Sequence, residues 1–549
     1  MPDIHQYIGK VEERYQAYKP DRDKFLHFLQ GLYDIFDPNY VDTYANKNGT
    51  STGVRGDRRI YDSKGIQGVA LFSNALHSNL YPQVQPFFQF SYSDEKRLFQ
   101  EKELRDAFAY IDQDLQKVFQ YKSNFHPAKI ESLTDYVIAG EETLFVDDYG
   151  FIDKRYGDPI FRPLSFDRIC YAAGIDGEID THWRSYRIPA RLLPDNSEFE
   201  ESISKSDVLK QKIEKESDEM IEIIHYATPK KDVDVTFMKT HEYISLYYTK
   251  ENKIPLNLKN GMLSGFEEQA IITNRYRVRS GETTPRSDTM GVFGDAQSLQ
   301  RLAFMRLKLA AFQVDPMIGV NPKKVIEKIK NIPGATNYLK DQTAMWYMKH
   351  EGRMDVAYTE GENLSENVMA GFHKNDFRFP EDLPQMTATE AQSRLAQMQG
   401  QHSPIVVRSV RFIAKVVERV FWMRYRAGKY IDYFPILQGL DRDKLKIEVI
   451  SPLAKAQRAN DVLQLQALMR FIDEQGQLDP SVLKMIKKRE AIEWMSYNIN
   501  SAFPQFIKSQ EEIEEESAQE QALAAIPAAA DAAKSISQAV LNNAKAQSL

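Results

Sequence analysis

Reactive side chains are few in this chain, and their spacing argues against catalysis. Two acidic pairs, Glu141-Glu142 and Asp147-Asp148, are the nearest approach to a divalent-metal site or a general acid–base couple. They bracket the run TLFV, which reads as a strand, and successive side chains of a strand point to opposite faces. Neither pair can therefore close on one metal ion. The ten histidines are scattered without ligand spacing. His77, in LFSNALHSNLYP, reads as a helix-surface or interface residue rather than a ligand. Cys170 is the single cysteine, so no internal disulfide and no thiolate zinc site can form, which fits folding in a reducing cytoplasm. The sequence holds no Walker A loop, HExxH, GxSxG or GxGxxG. No enzyme, metal or cofactor is expected. Arg55-Gly56-Asp57 and the sequon Asn48-Gly49-Thr50 read as chance, because the first residues, MPDIHQYIGKVEERY, lack an apolar signal core.

Charge is more informative. The net charge is −7, whereas a protein that grips DNA by its phosphates is usually basic. A repressor, a nuclease or a motor is disfavoured, but a passage for a polyanion works better if it does not stick. From Arg301 to Lys330 the balance reverses. Arg301, Arg306, Lys308, Lys323, Lys324, Lys328 and Lys330 stand against Asp315 and Glu327. This stretch reads either as a solvated face or as a basic docking collar. Further on, His373, Lys374 and Arg378 are candidates for brief phosphate contacts, weakened by Asp376, Glu381 and Asp382 beside them.

The elements that must carry these residues follow from periodicity. A chain of 549 residues, too long for one core, is expected to form roughly two to four domains. Hydrophobic and charged fractions of 42% and 27% are ordinary for a folded protein, and aromatics at 11% suit broad subunit interfaces or a large core. No apolar run of about 18 residues is present, so no transmembrane helix is expected. Residues 1–36 read as a helix, 37–60 as a long polar loop, and helices return at 62–80, at 101–121 and in a segment ending at Gly140. From Thr143 to about Tyr248 short β-branched and aromatic runs read as strands, interrupted by a charged helical stretch at 199–219. Residues 294–313 carry Leu299, Leu302, Met305, Leu309 and Phe312 as a helical stripe that Asp315-Pro316 stops. Residues 361–374 are helix-compatible, and the two prolines of 375–386 forbid a regular helix there. A long helix then starts with Thr387 or Thr389 as N-cap, is kinked or restarted near Pro404, and ends at Gly428. A strand at 446–451, a helical module at 452–503 and an acidic, then Ala- and Gln-rich tail complete the chain.

Six segments in one order resemble the head-to-tail connector, or portal, family of short-tailed bacteriophages. They are Tyr61–Gly65 with GVALFSNALHSNLYP, and Ser123-Asn124-Phe125 with TLFVDD. Next come PLSFDRICYAAGIDGEIDTHWRSYRIPA, and Ser280-Gly281-Glu282 through Ser287 with GDAQSLQRLAFMRLKLAAFQVDPMIGV. Met386–Glu390 opening the long helix, and Ser451–Arg458, complete the series. Where the family often has Tyr-Gly in the fourth segment, this chain has Thr284-Pro285.

The resemblance implies an α+β portal fold with an α/β wing, a helical stem pair, a small clip insert and a helical crown. It further implies a ring, usually of about twelve subunits, at one capsid vertex. Mapped onto this chain, 1–290 and 387–450 resemble the wing, 291–315 and 358–374 the two stem helices, and 316–357 the clip. Residues 375–386 resemble the channel loop, 451–510 the crown, and 511–549 form the C-terminal tail. The implied partners are further copies of the chain, the terminase large subunit, tail adaptor or tube proteins, and the major capsid and scaffolding proteins. Double-stranded DNA passes non-specifically, and no membrane is involved. The implied place is the virion, assembled in the host cytoplasm. On this reading Lys323, Lys324, Lys328 and Lys330 dock a partner, Leu302 and Leu309 lie in an oligomer interface, and His373, Lys374 and Arg378 face the DNA channel. A tail adaptor or internal head protein is the alternative. A packaging enzyme is the more distant one, since it needs an ATP site or a carboxylate metal cluster.

Overall fold

The computed structural model describes residues 4–38, 60–93, 102–148, 156–215, 218–230, 241–330, 332, 334–348, 354–374, 388–438 and 445–449, with residues 462, 464–472, 491–492 and 495. The chain divides into two compact units: Met1–Gln85 with Val118–Lys429, and Pro86–Lys117 with Tyr430–Leu549.

In the first unit, α1 (Ile4–Phe36) buries Tyr7, Ile8, Val11 and Tyr15, the spacing that one helical face requires. These side chains pack on one face of a five-stranded antiparallel sheet through Trp183, Tyr226 and Tyr248. Its strands include β4 (Ile169–Ala173), β5 (Ile179–Pro189), β6 (Met220–Pro229) and β7 (Tyr243–Thr249). Register runs Trp183↔Tyr226 and Tyr226↔Leu246, so the aromatic rows stand on one side. The opposite face, with Tyr171, Ile179 and Ala227, meets Phe145 and Ile271. Those two belong to a second sheet of three strands, β2 (Glu141–Asp148), β3 (Pro159–Pro163) and β11 (Ile271–Arg275). The short pairs β8 (Leu258–Lys259) with β9 (Met262–Leu263), and β10 (Gly265–Phe266) on β7, fill the return.

The acidic pairs are structural. Glu141 accepts from Arg22 and Tyr171, while Glu142 accepts from Lys129 and, at 2.9 Å, from Asn274. Asp147 pairs with Arg162 and Asp148 accepts from the Gly157 amide at 3.0 Å. Each buried carboxylate has its own cation or amide donors, the condition under which a buried charge is tolerated. His77 meets His126 at 3.1 Å, and burial lowers its pKa to about 4, with His126 and Lys129 acting in the same direction. Cys170 is buried.

Helices α2 (Lys64–Leu80) and α4 (Phe125–Ala139) pack together, and Gly140, at φ +79°, ends α4 in the left-handed conformation that glycine supplies. A π-helical turn at Val118–Lys122 precedes α4, and nothing in the periodicity signals it. The charged stretch forms α5 (Glu200–Lys205) and α6 (Asp207–Lys215). The long C-terminal helix, α9 (Ala388–Arg426), runs through Pro404 as one element rather than restarting there. Its end is a Schellman cap: Gly428 donates to Tyr425 and Lys429 to Arg424, with Gly428 at φ +75°.

In the second unit, β1 (Phe88–Tyr92) pairs antiparallel with β14 (Leu445–Val449) in the register Phe90↔Ile447. The sequence reading anticipated the second of these strands and not the first. Helix α3 (Lys102–Lys117) covers β1, with Phe108 stacked on Phe90 and Asp112 accepting from the Phe90 amide at 2.8 Å. Tyr430 donates to Asp114 at 3.0 Å, and the short α10 (Phe434–Gln438) lies against α3.

Candidate functional site

The basic stretch, the helical stripe and the histidine all fall on one substructure of the first unit. Helix α7 (Asp288–Val314) leaves the body, a small insert follows, and α8 (Met354–Gly371) returns antiparallel along α7. Both helices start earlier than periodicity suggested. Ser287 N-caps α7 by accepting from the Met290 amide, and its own hydroxyl donates to the Ile138 carbonyl at 2.8 Å. Thr289 donates to Val137 at 2.7 Å. The root of α7 is thereby tied to α4. Farther along, Gln300 accepts from the amides of Tyr61 and Asp62 at 2.9 and 3.1 Å, tying α7 to the segment before α2.

Glycines on α8 let the two helices approach. A side chain at Gly371 would strike Val292 at 2.0 Å, and one at Gly361 would meet the Arg306 guanidinium at 2.9 Å and Leu302 at 3.6 Å. Arg306 also lies over the Tyr358 ring, 3.9 Å from its centroid. Val292, Leu302 and Arg306 thus define the face of α7 that α8 occupies. Leu302 and Leu309 are both half-buried.

The rest of the stripe does not follow them inward. Met305, Leu307, Phe312 and Val314 are exposed large apolar residues. At about 100° per residue, Met305 and Phe312 share one face and Leu307 and Val314 another, each about 100° to either side of the face covered by α8. A helix with two solvent-facing apolar flanks is incompletely covered by its own chain. Sequence reading placed Met305 and Phe312 in the stripe but missed Leu307 and Val314; the seven-residue step between them was the available signal.

The insert between the helices is a small irregular module. Strands β12 (Ile318–Val320) and β13 (Met345–Tyr347) pair antiparallel, and Trp346 lies so close over Gly319 that any side chain there would overlap the indole. Lys324 donates to Asp341 at 2.6 Å and to Thr343 at 2.8 Å, and this charge holds the Asp341 carboxyl well below the usual carboxylate range. Lys323, Lys328 and Lys330 are exposed and have no carboxylate partner among the described residues. Ile326, Ile332, Tyr338 and Tyr347 are exposed on the same module.

At the inner end of the pair, α8 closes with a second Schellman cap. Lys374 donates to Met369 and His373 to Ala370, with His373 itself in the left-handed position at φ +56°. That conformation costs a non-glycine residue roughly 1–2 kcal/mol. The side chain compensates: His373 Nε2 lies 2.9 Å from Asp288 Oδ2, in the first turn of α7. Arg277 reaches the other Asp288 oxygen at 2.9 Å, and Tyr276 donates to the same carboxylate. Burial raises the Asp288 pKa, but His373, Tyr276 and Arg277 outweigh it and hold the carboxyl below its ordinary value. Asp288, Tyr276 and Arg277 were not identifiable from sequence, because they reach His373 from a distant part of the chain. Lys374 is half-buried beside this junction. Arg378, and the whole segment 375–386, lie outside the described residues, as does most of 451–510.

Among the described residues no group of three or more His, Cys, Asp or Glu could hold a metal ion, and no helix is long and apolar enough to cross a membrane.

Comparison with known proteins adds four findings. The family model described as bacteriophage head to tail connecting protein matches residues 9–502. A protein of Salmonella phage epsilon15 named portal protein is 23% identical over 549 residues, covering 95% of this chain and 93% of that protein. Among solved structures, a chain from the virion of a native gene transfer agent particle aligns with 10% identity at a TM-score of 0.33 over 74% of this chain and 85% of that one. A chain from the neck of an empty gene transfer agent particle aligns with 10% identity at a TM-score of 0.35, over 74% and 86%.

Proposed function

The chain belongs to the bacteriophage head to tail connecting protein family, and from that premise we propose that it is a portal subunit whose ring passes double-stranded DNA during packaging and ejection. The observation that carries this reading is the pair of apolar flanks on α7. One flank, Met305 with Phe312, and the other, Leu307 with Val314, lie on either side of the helix that its own chain covers. A surface that exposes two different apolar faces suits a head-to-tail contact, in which the front of one copy meets the back of the next. Such contacts close into rings when the rotation allows.

In this reading α7 and α8 are the stem, 316–357 is the clip, and the wing comprises 1–290 with 387–450. Residues 451–510 make the crown. The ring has about twelve copies, as the family resemblance implies. Each α7 of 27 residues gives a tube wall about 40 Å long, at 1.5 Å per residue. Leu309 turns toward the Met305 flank, while Leu302 stiffens the stem from within by packing near Gly361.

The family is one of structural connectors, and the chemistry asked of this chain is passage rather than turnover. His373 and Lys374 stand at the inner end of the stem, next in sequence to the segment 375–386 that the resemblance makes the channel loop. Few cations are offered there, so phosphate neutralisation is small and DNA slides. At the other end Lys323, Lys328 and Lys330 present free ammonium groups, with Lys324 held by Asp341, to an acidic surface on the terminase large subunit and later on a tail adaptor. Capsid and scaffolding proteins meet the wing. The protein is a virion component.

Gold-labelled antibody against this chain, applied to tail-less heads, tests the placement. One label per particle, at a single vertex, is expected. Label distributed over all vertices, or absent from these heads, would move the chain to another structural role, such as a tail adaptor.

A further inference from the structure

Apart from the stem, an open cleft of about 840 Å³ lies in the first unit between the β4–β5 hairpin, the segment after β11 and the middle of α9. Two of the segments singled out in the sequence form its walls. In the first, the Gly174 amide donates to the Glu178 carbonyl at 2.8 Å and the Gly177 amide to the Gly174 carbonyl at 3.0 Å, which presents the Asp176 and Glu178 side chains at the rim. In the second, the Glu282 amide donates to Arg279 at 3.1 Å with Gly281 at φ +81°, a type II turn that places Arg279 at its start.

The charges in the cleft are unevenly satisfied. Arg411 and Lys415, from α9, lean on Glu178 at 3.9 and 3.4 Å. Arg275 spends its guanidinium on the carbonyls of Gly177 at 2.6 Å and Thr283 at 3.2 Å, with no ion pair to a carboxylate. Burial lowers the pKa of Arg275; Tyr171 opposes this, and Arg408 acts in the same direction as burial. The guanidinium groups of Arg279 and Arg408 have no ion-pair or hydrogen-bond partner among the described residues. Five cations thus face three carboxylates in a chain whose net charge is −7. Guanidinium groups offer a planar fork of donors matched to carboxylates and phosphates.

We propose that this cleft docks a carboxylate-bearing peptide segment of a partner protein, held by Arg279 from the turn and Arg408 from α9. The remaining lining favours a peptide over DNA. A continuous row of phosphates would be pressed against Asp176, Glu178 and Glu282, whereas a peptide can interleave acidic side chains with backbone amides that those carboxylates accept. Val407 and Phe412 line the same cleft and offer apolar contact to a neighbouring side chain of the peptide, which a phosphate backbone does not supply. The inference does not depend on ring closure or on DNA passage.

The test is fluorescence anisotropy on the full chain with fluorescein-labelled Glu-Glu-Phe-Glu-Glu, the Lys-Lys-Phe-Lys-Lys peptide as control, and a short DNA duplex as competitor. Saturable binding of the acidic peptide alone is expected. The double variant Arg279→Ser with Arg408→Ser should weaken it at least about tenfold, the equivalent of losing one charge-assisted pair. Glu178→Gln releases Arg411 and Lys415 and should tighten it severalfold. Arg279 sits exposed on its turn, so the single variant Arg279→Ser keeps the test valid where the double variant misfolds, with a twofold to threefold loss expected. No saturable binding, or affinity unchanged by these substitutions, overturns the proposal. So does duplex DNA that binds as tightly, displaces the peptide and is lost in the arginine variant, since the cleft would then belong to nucleic acid.

Discussion

Two apolar flanks on one helix lead to a complementation experiment. In the first variant Met305 and Phe312 become Gln; in the second, Leu307 and Val314 become Gln. All four side chains are exposed in the single chain, at 62% for Met305, 37% for Phe312, 57% for Leu307 and 87% for Val314, so the monomer fold is expected to survive both. Fully burying a large apolar side chain contributes roughly 1.5–3 kcal/mol. Scaled by exposure, the first pair contributes about 1.5–3 kcal/mol and the second about 2–4 kcal/mol to each subunit contact. At 1.4 kcal/mol per tenfold, each variant weakens every contact by roughly ten- to several-hundred-fold. A ring repeats that loss at each of its joints, so neither variant alone should close. A head-to-tail joint uses one flank from each partner. An equimolar mixture therefore contains one intact joint, between the sound Leu307–Val314 flank of the first variant and the sound Met305–Phe312 flank of the second. Sedimentation velocity at tens of micromolar should show monomers for each variant and heterodimers, without rings, for the mixture. Normal rings from either variant alone, or a mixture indistinguishable from its components, would refute the two-flank geometry.

Other outcomes follow from the same substructure. Asp288→Asn removes the negative charge and one of the two acceptor oxygens that hold His373, Arg277 and Tyr276, and should cost about 2 kcal/mol in thermal unfolding. Because the Asp288 pKa is depressed in the folded state, its contribution is present above the ordinary aspartate range and is lost as pH falls through the folded value. The wild type should therefore lose stability relative to the variant on acidification below about pH 4; parallel pH profiles would contradict this. Gly361→Leu should force α8 away from Arg306 and Leu302, costing about 1–3 kcal/mol by overpacking and loosening ring assembly in native mass spectrometry. Changing Lys323, Lys324, Lys328 and Lys330 to Ser should spare ring formation and weaken terminase or adaptor binding at low salt, with the difference shrinking at high salt. Shortening 375–386 should spare rings but impair packaging or retention, read as packaged genome length; full-length, stably held genomes would return this segment to a linker role.

The residues show what a sequence can and cannot deliver here. Helices α1, α2 and α7 were legible from apolar residues at helical spacing, and Gly140 and Gly428 marked the ends of α4 and α9 as caps should. Strand alternation separated the members of each acidic pair, but their partners Arg22 and Lys129 were not legible, because they lie far off in sequence or on another element. Strand β1 escaped notice because FQFSY is only five residues long, although Phe88, Phe90 and Tyr92 alternate with Gln89 and Ser91 as a strand requires. Of the two effects expected at Pro404, a kink or a restart, the restart does not occur, since a proline's local cost does not decide whether a helix restarts when both flanking segments favour helix. The stripe of α7 was visible as a stripe, but sequence cannot tell an apolar face covered by the same chain from one left for another copy. Packing alone separates Leu299, which is buried, from Met305, which is not. The Asp288–His373 junction was illegible for a different reason: its members come from the start of one helix, the end of another and the segment before both.

Ring formation by the purified chain is the central claim, and electron microscopy of negatively stained protein tests it most directly. Top views should show closed rings of one diameter with a central stain-filled hole, and side views a narrower stem projecting from a wider body. A population that stays monomeric at tens of micromolar under every salt condition, or that forms open filaments or closed two-fold dimers without a hole, would contradict it.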